Sequence, residues 1–391
     1  MAVTNRLRIV QLNLAYSPAL DTPAALIESY HTLTGWADAV HRAGADVVTV
    51  QRYASDSEVT RGCCRVLFVR DEGGAIAAPW DSCRRPIDAV VTLQPDVVHV
   101  NGLMFPGVIG SLRGRLPWST AIAIQDHSGT VPRAWPWPFD RLRRRRWHEA
   151  FRCADAFVFT AGELADQWHA VGLAPDATIL EVPEAGTTIA PVPREDAMAL
   201  TGVRASPAIL WVARLDRNKD PLTVLSALEM ALPRLPGARV WMVYDEAPLE
   251  GVVAERIDAS ALLRERVTLV GAVPHEHIGS WFSAADIFVS GSRHEGSGYA
   301  LIESMTCGVM PCVTSIPAFR ALTGGQGALW TVGDADACAA ALVDLAARDR
   351  DVERTAIRRH CAGALSWEQI GQRTVHNYRA LVTARRDRSS P

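Results

Sequence analysis

Two glutamates eight positions apart, Glu295 and Glu303, stand either side of a turn of small residues, Gly296-Ser297-Gly298. An apolar strand pattern, Asp286-Ile-Phe-Val-Ser290, precedes the turn and a helical pattern follows it. A strand that feeds a glycine turn and then a helix start presents unpaired backbone N–H groups to an anion. The carboxylates accept hydrogen bonds and donate none, so they suit a ligand rich in hydroxyls. Upstream, Arg214 and Lys219 follow the strand-like run Ala208-Ile-Leu-Trp-Val-Ala213. Arginine offers a rigid fork to phosphate oxygens and lysine a mobile point charge. Without a metal, two such cations can neutralise charge that develops on a departing diphosphate. The plainer alternatives are a solvated Arg/Lys pair on a loop, and a Glu303 that only complements a helix dipole. Those alternatives leave Glu295 and the glycine pair unexplained.

The segment Arg293-His-Glu-Gly-Ser-Gly-Tyr-Ala-Leu-Ile-Glu303 resembles the E-x7-E signature of retaining, nucleotide-sugar-dependent glycosyltransferases of family 4. The resemblance continues through Met310 to Arg320, and Val212-Ala-Arg214 through Lys219-Asp-Pro221 matches a second family pattern. The close match covers roughly residues 206 to 335, and the first half matches only in outline. The resemblance implies two Rossmann-like α/β domains (GT-B) facing each other across a cleft, with a last helix crossing back to the first. It implies that Glu295 contacts hydroxyls of the transferred sugar and that Glu303 bonds the ribose. The N–H groups of Ser297, Gly298 and Tyr299, after Gly296, are then the cradle for the diphosphate. Many members carry an aromatic residue where Ser297 stands, so sugar selectivity is expected to differ here. By the same analogy Val270-Gly271-Ala-Val273-Pro274 lies beside the nucleotide base, with Gly271 and Val273 reading its edge. No side chain there separates uracil from guanine or adenine; a UDP-sugar is favoured.

With 391 residues the chain is comfortable for two domains. A hydrophobic fraction of 48% and a net charge of −3 are ordinary for a soluble protein and do not advertise nucleic-acid binding. The N-terminus lacks a signal core and no apolar run approaches the ~18 residues of a membrane span. Eight scattered cysteines form no C-x2-C pair, which argues against a zinc site and for reduced thiols in the cytoplasm. Strand-like runs near 7–14, 46–50, 64–69, 97–100, 119–124, 156–159 and 178–181 alternate with helical patterns such as 24–43, 82–93 and 141–153. A second set lies near 208–213, 238–243, 266–270, 286–290, 311–314 and 327–331. Such alternation predicts parallel sheets covered by helices. The domains are expected at 1–190 (acceptor side) and 204–365 (donor side), with 366–391 a returning helix and a frayed tail from Arg385. The proline-rich stretch within 185–206 is read as the connection.

In the first domain, Ile122-Ala-Ile-Gln-Asp126-His127-Ser-Gly129 resembles the family's strand-then-histidine segment, which implies that His127 faces the transferred sugar. His99 is a weaker candidate, and Asn101-Gly102 is read first as loop geometry. The first-strand loop, Asn13-Leu-Ala-Tyr-Ser-Pro, departs from the family's Gly-Gly pair, and no G-x-G-x-x-G follows. The basic run Arg141-Leu-Arg-Arg-Arg-Arg146-Trp147, after Trp135-Pro-Trp-Pro-Phe139, is read as a basic helix face, with peripheral membrane contact as the alternative.

The expected activity is metal-independent, cofactor-free, retaining transfer of a sugar from a nucleoside-diphosphate sugar to an acceptor hydroxyl. The acceptor is open: polysaccharide, lipid or small metabolite. The competing classes are a non-catalytic sugar-nucleotide-binding subunit and a nucleotide-sugar epimerase or phosphorylase.

Overall fold

The first strand, β1 (Leu7–Asn13), buries every residue except Arg8. A near-continuous apolar run is what a parallel strand covered on both faces requires. In the computed structural model, which describes residues 6–72, 74–127, 129–133, 136 and 139–387, this pattern recurs in two sheets. The first contains β1, β2 (Ala45–Tyr53), β3 (Ser57–Arg61), β4 (Cys64–Arg70), β5 (Val97–Asn101), β6 (Ala121–Gln125), β7 (Ala156–Phe159) and β8 (Ile179–Glu181), in the order β3-β4-β2-β1-β5-β6-β7-β8. All neighbours are parallel except β3 on β4. The second contains β9 (Ala208–Val212), β10 (Arg239–Val243), β11 (Val267–Gly271), β12 (Ile287–Ser290), β13 (Met310–Thr314) and β14 (Ala328–Trp330), all parallel, in the order β11-β10-β9-β12-β13-β14.

Each sheet belongs to its own compact unit. Residues up to Gly186 together with those from Trp367 onward form the first, and Thr187–Ser366 the second. In each, the strand order reverses once, between β1 and β5 and between β9 and β12. At such a reversal the outgoing helices lie on opposite faces and leave a crevice at the strand carboxyl ends.

In the second unit the pairing of β9 with β12 is tied by one buried carboxylate. Asp286 Oδ2 accepts from the N–H of Ala208 at 2.8 Å, while its Oδ1 meets Arg194 Nη1 at 2.8 Å. Trp211 of β9 and Phe288 of β12 are buried in the surrounding core. Each contributes about 1.5–3 kcal/mol by leaving water. Arg194 opens a helix, Arg194–Thr201, inside the stretch expected to be a plain connection. Its only buried residue is Ala197, so it carries no apolar period to betray it.

In the first unit the last helix, Trp367–Asp387, packs on the helix His31–Arg42. Glycines make this approach close. A Cβ on Gly371 would lie 2.3 Å from Ala39 O, and one on Gly35 would lie 2.7 Å from the Trp367 ring. The packing delivers Tyr378 to the centre of the unit. Three expectations are corrected here. The helix expected over 24–43 is two, Pro23–Ser29 and His31–Arg42, because Tyr30 leaves helical geometry (φ −96°, ψ 53°). The strand β3 was not expected. Arg385 is not part of a frayed tail: it is helical and buried, with Nε 2.6 Å from Asp155 Oδ1. The rest of that tail, 388–391, and Trp135, Trp137 and Ser128 lie outside the described residues.

Candidate functional site

The loop after β9 carries Arg214 and Lys219, and the loop after β12 carries Ser292 and Glu295. The two loops touch at Gly291, where a Cβ would sit 3.0 Å from the carbonyl oxygens of both Lys219 and Asp220. That approach lets the Lys219 Nζ contact Glu295 Oε1. The Ser292 hydroxyl donates to the same oxygen at 2.7 Å. Ser292 is itself fixed, since its carbonyl accepts from Thr314 Oγ1 at 2.5 Å. Asp216 links the two residues: its Oδ1 accepts from the backbone N–H of Lys219 at 2.9 Å and its Oδ2 lies 3.3 Å from Arg214 Nη2. Arg214 also reaches Glu246 at 3.3 Å and keeps 48% of its side chain exposed. Lys219 keeps only 17%.

The far side of the loop is set by Asp220 and Asn218. Asp220, in a left-handed conformation (φ 50°), accepts from Arg293 Nη2 at 2.6 Å and caps the helix Pro221–Ala231 through Thr223 N. Asn218 bonds both the N–H and the carbonyl of His294. Asp216, Asp220, Asn218 and Ser292 were not singled out in the sequence, although each lies within four residues of one that was.

Beyond Glu295, Gly296 and Ser297 are buried and Gly298 adopts φ 64° at the start of the helix Tyr299–Thr306. A Cβ on Gly298 would lie 2.7 Å from Leu322 Cδ1, so both backbone and packing demand glycine. Tyr299 is exposed. Glu303 stands past the first turn of that helix, where the dipole has largely faded. It is mostly buried and its Oε1 lies 3.2 Å from Nε2 of His275. That hydrogen bond, against partial burial, lifts His275 above the usual histidine range. Gly271 ends β11 at φ 80°, and its carbonyl already accepts from Tyr244 N at 3.0 Å, while Val273 is half-buried in the loop that follows.

The first unit holds a second polar cluster. Asn13, Asn101 and Gln125 are in register at the carboxyl ends of β1, β5 and β6. Asn101 Oδ1 lies 2.8 Å from His99 Nε2 and 2.9 Å from His127 Nε2. Asn101 Nδ2 donates to Asn13 Oδ1. His99 Nδ1 lies 2.5 Å from the Tyr378 hydroxyl, and His127 Nδ1 lies 2.5 Å from Glu184 Oε1. Burial, helped by the neighbouring His127, pushes His99 down to about 3, so its ring is neutral near pH 7. Burial also opposes charge on His127, but the Glu184 carboxylate outweighs it and the ring's affinity for a proton rises above the ordinary value. Glu184 and Tyr378 were not anticipated, and Asn101 does more than shape a loop.

The basic run is largely spoken for. Arg143 is buried against Asp140 (2.7 Å), Arg144 pairs with the same carboxylate at 2.8 Å and Arg145 with Glu149 at 2.9 Å. Arg146 lies over the Trp80 ring at 4.3 Å. Trp147 is buried in the core, which removes it from any membrane-facing surface. Among the described residues no helix is long and apolar enough to cross a membrane.

The chain is similar to known proteins in sequence and in fold. A family profile described as "Glycosyl transferases group 1" matches residues 206–348. GDP-mannose:cellobiosyl-diphosphopolyprenol alpha-mannosyltransferase of Xanthomonas campestris is 28% identical over 302 residues, 73% of this chain and 74% of that one. 2-Deoxystreptamine N-acetyl-D-glucosaminyltransferase of Streptomyces fradiae is 28% identical over 60% of this chain and 58% of that one. Among solved structures, sucrose-phosphate synthase from Thermosynechococcus elongatus superposes with a TM-score of 0.69 at 22% identity, covering 97% of this chain and 100% of that one. HepE of Anabaena, solved in complex with UDP, gives 0.69 at 16% identity, covering 96% and 100%. The chain is thus a glycosyltransferase with the two-domain GT-B fold.

Proposed function

We propose that this glycosyltransferase moves a sugar from a nucleoside diphosphate to an acceptor hydroxyl, with retention at the anomeric carbon and without a metal ion or other cofactor. The second unit is the donor side, and the observation that carries this is the contact between Lys219 and Glu295 at the reversal point of the sheet. A half-buried ammonium held by a carboxylate, beside a glycine turn at the start of a helix, matches a ligand bearing phosphate next to hydroxyls. When the donor enters, Lys219 exchanges the Glu295 oxygen for phosphate, and Glu295 is released to the sugar hydroxyls. Glu303 bonds the ribose. Gly271 and Val273 lie at the base, and Ser297, Gly298 and Tyr299 line the diphosphate.

In the transfer step the acceptor oxygen bonds to the anomeric carbon on the face from which the carbon–oxygen bond to phosphate breaks. The acceptor proton passes to the leaving phosphate oxygen. Arg214 and Lys219 take up the charge that develops there, and His127 is a hydrogen-bond donor to the substrate. The UDP held by HepE favours a UDP-sugar, and the GDP-mannose-dependent relative makes GDP the competing nucleotide.

The test is a thermal-shift series with UDP, GDP, ADP and TDP on the wild type, Lys219→Ala and Glu303→Ala. A nucleotide at 100 times its dissociation constant stabilises the fold by about 2.7 kcal/mol. The expected result is a shift with one nucleotide that is lost in both variants. Absence of any shift overturns the donor site. Binding without transfer from any sugar nucleotide favours a non-catalytic subunit. Chelator is expected to leave the rate unchanged, and a strict Mg²⁺ requirement contradicts the metal-free reading.

A further inference from the structure

The cluster at the ends of β5, β6 and β8 has Asn101 Oδ1 as its central acceptor, and a pattern of protons follows from that. Amide oxygens accept, so both nitrogens that meet Asn101 Oδ1, Nε2 of His99 and Nε2 of His127, carry hydrogens. His99 Nδ1 is then the acceptor for the Tyr378 hydroxyl, and His99 is neutral. His127 differs. Its Nδ1 faces a carboxylate oxygen of Glu184, so that nitrogen also carries a hydrogen.

We propose that Glu184 and Asn101 are positioning residues: they fix the ring of His127 through both of its nitrogens and aim Nε2–H as the donor that a substrate oxygen takes over. This rests on the reading of His127 as a substrate-contacting residue. Asn101 suits such a handover. Its Oδ1 keeps the hydrogen bond from His99 when His127 turns to the substrate, so no buried acceptor is orphaned. His99 in turn is held by Tyr378 from the terminal helix, which anchors the far end of the chain of bonds. The ring of His127 keeps 35% of its side chain exposed, whereas Glu184 keeps 6%. The carboxylate is therefore sequestered behind the ring and the ring faces outward. A charged donor binds an oxygen about twice as strongly as a neutral one. The charged and titratable groups around His127 are Glu184, Asp126 and His99, and the first two favour the cation while His99 stays neutral.

The experiment is a pair of titrations on the full chain. Side-chain ¹⁵N histidine NMR follows His127, identified by its loss in His127→Asn, and the pH profile of kcat/KM is recorded alongside. In the wild type His127 is expected to titrate above the ordinary value of about 6.5. In Glu184→Gln its titration and the basic limb of the pH profile are expected to move together to lower pH. Glu184→Asp is expected to recover part of both. A His127 that titrates at or below the ordinary value in the wild type, or that is unmoved in Glu184→Gln, overturns the proposal. A moved titration with an unmoved profile overturns it too. A His127→Asn enzyme of unchanged kcat/KM overturns instead the site assignment beneath it, and the NMR titration still reports whether Glu184 holds the ring.

Discussion

In each unit a cation meets a carboxylate within the candidate site, near the carboxyl ends of the sheet: Lys219 with Glu295 in the second, His127 with Glu184 in the first. They are built alike and work differently. Lys219 and Glu295 are both proposed ligand groups and hold each other, so on the proposed reading donor binding separates them. In the first unit only the cation is proposed to face substrate. Glu184 stays behind the ring, and its task is to keep the ring charged and oriented. On the proposed reading one contact is a latch that opens on binding, and the other is a brace that stays closed.

The largest effects test whether the donor cations act as supposed. Lys219→Ala is expected to lower kcat/KM by about 10²-fold, the scale of losing a transition-state charge contact. Arg214→Ala is expected to cost somewhat less, because Arg214 is half-exposed and shared between Asp216 and Glu246. Near-normal turnover in both would sink the assignment. Next comes the turn that aims the N–H groups. In Gly298→Ala a left-handed backbone and a Cβ 2.7 Å from Leu322 Cδ1 act together. A left-handed non-glycine residue costs about 1–2 kcal/mol, and the midpoint of urea unfolding should fall accordingly. A midpoint unchanged in Gly298→Ala means that the turn is not under the demand described.

The latch makes a prediction of opposite sign. Glu295→Gln removes the competitor for Lys219 without removing a hydrogen-bonding group of the same shape. Calorimetric titration should show the preferred nucleoside diphosphate binding a few-fold more tightly, about 1 kcal/mol by the affinity scale. Sugar transfer should fall in the same variant, since the proposed sugar contact is weakened. Weaker nucleotide binding in Glu295→Gln argues that the carboxylate orients Lys219 rather than competing with phosphate.

The two contacts also differ in how far the sequence announces them. Arg214, Lys219 and Glu295 are reactive residue types close to strand ends, and their spacing matches a known pattern. Their fixing partners, Asp216 and Ser292, are ordinary loop residues in sequence and gain meaning only when Gly291 lets the loops meet. Glu184 is harder still. It lies 57 residues from His127, and only the lateral order β6-β7-β8 brings its loop alongside. The same contrast holds for the fold. The parallel strands read well because burial on both faces leaves apolar runs. The edge strand β3 is exposed apart from Val59 and has no such run. The break at Tyr30 is invisible because neither glycine nor proline marks it.

The smallest effect discriminates the brace most cleanly. A histidine whose affinity for a proton is raised on folding adds stability below its unfolded value of about 6.5, and that stability is lost as pH rises through the folded value. His127 is of this kind, with Glu184 as the favourable cause set against burial. Since a third of the ring meets solvent, screening keeps the effect modest. His275, raised by Glu303, slopes the same way and would confuse a single measurement. The useful quantity is therefore the difference between wild type and Glu184→Gln, in which His275 cancels. Urea midpoints taken from about pH 5.5 to 8.5 should show the wild type ahead at low pH and the gap closing as pH rises through the folded value of His127. A gap of constant size would mean that Glu184 stabilises the fold by packing alone and does not hold the charge on His127.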